Sequence, residues 1–182
     1  MRKALGPWHV LWRYTEVSRV AYVVVGAATS LVLSALTIGL YWLVTVPGLG
    51  LTPPATSEPL PHVAEMLLGW VVLAPLAETL VLATVLALAG HVIDRPGLLV
   101  LAGALPIGLA HGFTGTNLFD VGGHAVVSTI GFLVFAVVYV AWRRSTFKDG
   151  FWMCALVHMV HNLGVVALAY LDHATWTWIG SG

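Results

Sequence analysis

Residues 66–90 read MLLGWVVLAPLAETLVLATVLALAG, a stretch with one ionisable side chain, Glu78. Such a run has few folds open to it. A hydrocarbon core about 30 Å thick is crossed by a helix of about 20 apolar residues. Only a helix satisfies its own backbone hydrogen bonds within one segment when no water is at hand. Four other runs invite the same reading: 20–46, 97–113, 125–142 and 151–171. The run 97–113 is short and 125–142 is of marginal length. With 59% hydrophobic and 9% charged residues, the chain lacks the polar surface a soluble domain needs. The expected fold is all-α, a polytopic membrane helix bundle of about five transmembrane helices. Residues 1–19, basic and aromatic, are expected to form an interfacial N-terminal segment, such as a short interfacial helix, or else a disordered basic lead-in, with 20–171 the bundle and 172–182 an outer-side tail.

The charges order these spans. Arg2, Lys3, Arg13 and Arg19 precede the first, Arg95 lies between the second and third, and Arg143, Arg144 and Lys148 lie between the fourth and fifth. These are all eight Lys and Arg residues, and they fall on one side. The positive-inside rule then gives a cytoplasmic N-terminus, five crossings and an outside C-terminus. The long first run, with no A-x-A site after it, reads as a retained span and not as a cleaved signal. The basic stretches are short and flank spans, which excludes a nucleic-acid surface. Cys154 is alone, so no internal disulfide forms.

Polar groups at membrane depth are costly and mark function by default. Besides Glu78, the later spans carry His111, His158, His161 and Asn162. His158 and Asn162 are four apart and share a helix face, with His161 close to it. Pro75 and Pro106 precede Glu78 and His111 by three and five residues. A proline inside a span frees a carbonyl and makes room for water. A carboxylate and an imidazole can activate water, and an amide N–H and a ring N–H can hold a developing oxyanion. The plain alternative is interhelical hydrogen bonding, the better account of His161 or His124 taken singly.

The segment APLAETLVLA resembles the first motif of the CPBP family, the CAAX proteases and bacteriocin-processing enzymes of the Abi type. Pro75 and Glu78 match its proline and first glutamate; Thr79 and Ala83 replace its second glutamate and its arginine. His111 matches the histidine of F-x-x-x-H, with Ile107 in place of the phenylalanine, and His158 and Asn162 match H-x-x-x-N in full. The run-in YVAWRRSTFKDGFWMCALVHMVHNLG is also similar, and the likeness covers about residues 66–170. The resemblance implies an intramembrane protease in the plasma membrane of a prokaryote, acting on a peptide or membrane-associated protein. Glu78 and His111 would activate water; His158 and Asn162 would hold the oxyanion; His161 and Thr79 would be auxiliary. If a divalent metal such as zinc takes part, Glu78, His111 and His158 form its ligand set; no H-E-x-x-H is present. Two other readings stand beside it. One is a membrane protein that binds haem or a metal through span histidines. The other is a CPBP-like protein that binds peptides without cleaving them, as Thr79 and Ala83 would suit.

Overall fold

A computed structural model describes residues 18–49, 62–113 and 118–180, and among these every regular element is helical. The helices are α1 (Arg19–Leu49), α2 (Val63–Ala89), α3 (Pro96–Gly112), α4 (Leu118–Trp142) and α5 (Phe147–Gly180). Four are long and apolar enough to cross a membrane; α3, with 17 residues, is the shorter apolar helix. The chain is an integral membrane helix bundle.

Local chemistry sets several helix ends. Proline opens α3, where the missing N–H would have had no partner anyway. Thr146 caps α5. Its hydroxyl oxygen accepts the Asp149 N–H at 3.0 Å and its O–H donates to Asp149 Oδ2 at 2.9 Å. α2 is composite. It runs as α-helix over Val63–Glu65, as π-helix over Met66–Leu73, and as α-helix again over Ala74–Ala89. The change falls next to Pro75, which is buried and cannot donate a backbone bond.

Two boundaries depart from the sequence reading. α4 begins at Leu118, not near 125, and takes in Gly122 and Gly123. Those glycines are poor helix formers, but Tyr41 of α1 lies against them: a Cβ on Gly123 would stand 3.0 Å from the Tyr41 ring. Close packing there outweighs propensity. α5 runs on to Gly180, through most of the expected tail. The expected interfacial segment lies largely outside the described residues, as do residues 50–61.

α4 is the central post. Its most apolar window is 67% buried, against 22–33% for α1, α2 and α5. Every residue from Val134 to Trp142 is buried. The other helices surround it and turn Val20, Leu36, Leu80, Leu88 and Leu168 outward, as a bilayer solvent allows. α3 packs closest to α4. A Cβ on Gly108 would collide with Thr129, so only glycine admits this approach. At the basic end Arg19 joins α1 to α5 by an ion pair with Asp149 at 3.0 Å and lies over the Trp142 ring at 5.5 Å. Arg143 reaches the Leu86 carbonyl of α2 at 3.4 Å.

Candidate functional site

Glu78 lies eleven residues before Ala89, the basic end of α2. His158 lies eleven residues after Phe147, the basic end of α5. Both therefore stand about 16 Å up their helices at 1.5 Å per residue. They meet: His158 Nε2 is 3.4 Å from Glu78 Oε2.

His111 starts at a different height. It is fifteen residues after Pro96, or about 22 Å up α3. Side-chain direction closes the gap. A helical Cβ tilts toward its own N-terminus. α3 runs away from the basic end and α2 runs toward it, so their side chains lean to meet. His111 folds back far enough for Nδ1 to bond the Ile107 carbonyl at 2.9 Å. Its Nε2 then comes to 3.5 Å from Glu78 Oε1. The carboxylate is thus shared between imidazoles from two other helices, one on each oxygen.

The two histidines sit differently. The His158 side chain is 5% exposed and its ring stacks on Phe135 of α4, with centroids 4.1 Å apart and planes 25° apart. Phe132 packs on His111 at 5.2 Å and on His158 at 5.7 Å. Glu78 and His111 keep 28% and 33% of their side chains exposed. The site is walled by aromatics on its α4 side and open along α2 and α3.

The remaining expected residues go elsewhere. Asn162 faces α2 as its spacing from His158 requires, but its Nδ2 donates to the main-chain carbonyl of Trp70 at 2.8 Å. His161 turns to the Phe135 edge at 5.5 Å. Its Nδ1 and that of His158 are buried without a hydrogen-bond partner among the described residues. Thr79 is fully buried, its hydroxyl 3.9 Å from Cys154 Sγ, and Ala83 is 1% exposed. Thr79 packs in the core and contributes no group to the carboxylate. His124 lies exposed on α4.

The donor set does not suit a metal. The two imidazoles address different carboxylate oxygens. Among the described residues no three His, Cys, Asp or Glu side chains gather as an ion would require. Both Nε2 atoms are turned to the Glu78 carboxylate.

Three contributors escape a reading of the sequence. The Trp70 carbonyl has a signal in hindsight, because Pro75 five residues later withholds the N–H a π-helical turn would supply. The Ile107 carbonyl, which orients His111, and Phe135, which holds His158, have none: each is one apolar residue among many. No protein-family model, curated protein or solved structure matches the chain.

Proposed function

We propose that the protein is an intramembrane endopeptidase of the CPBP type, hydrolysing a peptide bond with water activated by Glu78 and His111. The observation that carries this reading is the Glu78 carboxylate held between His111 and His158 within the bundle, with one side open. A structural hydrogen-bonding role needs no acid there; Gln would serve without the cost of an ionisable group at membrane depth.

The chemistry follows from the hydrogen bonds. Nδ1–H of His111 is spent on the Ile107 carbonyl, so the neutral ring turns a bare Nε2 toward Glu78. A bare nitrogen and a carboxylate repel unless they share a proton. The pair therefore works as a proton store. Glu78 takes a proton from water as the oxygen attacks the peptide carbonyl carbon. The new C–O bond drives charge onto the carbonyl oxygen, where His158 Nε2–H, turned from Glu78 as that carboxylate is protonated, and the Asn162 amide, released from the Trp70 carbonyl, donate. The pair then returns a proton to the leaving amine as the C–N bond breaks. The substrate is a peptide or protein segment in or on the bilayer. The membrane is the plasma membrane of a prokaryote, with the basic end cytoplasmic.

A second reading is favoured by Thr79 and Ala83. Both are enclosed by the core where the CPBP motif has a glutamate and an arginine, which suits a peptide-binding relative without turnover. One assay separates the two. Wild-type protein in detergent is incubated with an apolar single-span peptide, alongside Glu78→Gln. Cleavage by wild type alone supports the protease; binding without cleavage by either supports the second reading. Equal cleavage by both would remove Glu78 from the mechanism.

A further inference from the structure

Trp70 offers a main-chain carbonyl that its own helix cannot satisfy. The Ala74 N–H goes to the Gly69 carbonyl, the spacing of a π-helix. In that register the donor owed to Trp70 is residue 75, and Pro75 has none. An unpaired carbonyl at membrane depth is costly, and here Asn162 Nδ2 supplies the missing donor at 2.8 Å. The bond lies on an exposed face of the bundle, beside Leu67, Leu68 and Trp70, which are 39%, 60% and 55% exposed. It also lies one helical turn beyond His158 on α5, next to Glu78.

We infer that the Trp70 carbonyl and the Asn162 amide form a main-chain docking pair for a locally extended stretch of substrate, each closing the other until substrate arrives. The inference rests on the peptidase reading and names its substrate class: a membrane peptide segment unwound at the reacting bond. An intact helix has no free N–H or carbonyl to offer mid-span. An extended stretch has both. Its N–H takes the Trp70 carbonyl, its carbonyl takes the Asn162 amide, and no polar group is left unpaired in the exchange. Asn162 is thereby released toward the developing oxyanion only when a peptide is in place. The same exchange explains why a proline and a π-helical turn directly precede Glu78.

The test uses full-length Glu78→Gln protein in nanodiscs, which binds without turnover. The probe is a synthetic Leu/Ala peptide of about 20 residues with a central Gly-Gly pair. A series of backbone esters replaces one amide N–H at a time. We expect one ester position near the glycines to weaken binding about 2- to 10-fold, the others being neutral. Adding Pro75→Ala gives the Trp70 carbonyl an N–H from its own helix, and the ester penalty at that position should vanish. If Pro75→Ala protein does not fold, the ester series alone decides. A flat series with the parent peptide still bound overturns the docking pair and leaves the peptidase reading standing. No binding of the parent peptide overturns both.

Discussion

Glu78 and His158 lie on antiparallel helices, each eleven residues from the basic end, and their side chains meet at 3.4 Å. That equality of height places a carboxylate beside an imidazole nitrogen. The aromatic wall of Phe132 and Phe135 fixes the histidine and leaves the carboxylate its open side. The site is thus stiff on one flank and accessible on the other.

Glu78→Gln should abolish peptide cleavage while leaving the melting temperature in detergent within a few degrees of wild type. The amide keeps the shape and can still bond both imidazoles, so only the base is lost. Cleavage rate and thermal unfolding on one preparation check this. A silent substitution in both assays would make Glu78 ordinary interhelical glue.

The two histidines should separate stability from activity. His158→Ala empties a buried place stacked on Phe135, and cavities of that kind cost about 2–5 kcal/mol. His111→Ala removes a one-third exposed ring and should melt close to wild type while cleavage drops about 10²-fold or more. Equal loss of stability in both would contradict the burial difference.

Introducing the second glutamate of the CPBP motif should fail structurally. Thr79→Glu puts a carboxyl where no surface is exposed and Cys154 Sγ is the neighbouring polar atom. An unpaired buried charge is among the most damaging changes known. Expression and melting should collapse, whereas Thr79→Val, close in shape, should stay folded. Well-folded Thr79→Glu with raised activity would show that the core yields at this point.

Gly108→Ala should be strongly destabilising, because its Cβ would run into Thr129 on α4. Overpacking costs about 1–3 kcal/mol, more where backbone must move. Gly97→Ala at the start of α3 meets nothing within 4 Å and should be neutral or stabilising by under about 1 kcal/mol. Thermal unfolding of the two single variants gives the comparison.

Topology reporters should place residues 94 and 146 on one side and 55 and 182 on the other. The ends of α1 to α5 that carry Arg19, Arg95 and Arg143 are the same end of the bundle, tied by the Arg19–Asp149 and Arg143–Leu86 contacts. In the proposed orientation this is the cytoplasmic end. Residues 94 and 146 reporting opposite sides would break the five-helix arrangement.

The sequence by itself determined that the chain is a helix bundle, roughly where each helix runs, and which polar groups interrupt the apolar runs. Those properties are local. An apolar run excluded from water must bond its own backbone, and a proline, a carboxylate or an imidazole within it is visible by type alone. The tertiary structure decided which groups meet. His111 reaches Glu78 only because α3 and α2 are antiparallel and Gly108 lets α3 lie close against α4. Asn162, one turn from His158, goes instead to Trp70, and Thr79 points into the core while its neighbour Glu78 points into the site. The same packing carried α4 back to Leu118 across two glycines, against their propensity. Helix rotation and pairing are set by where small residues on one helix admit side chains of another, and that complementarity joins positions far apart in the chain.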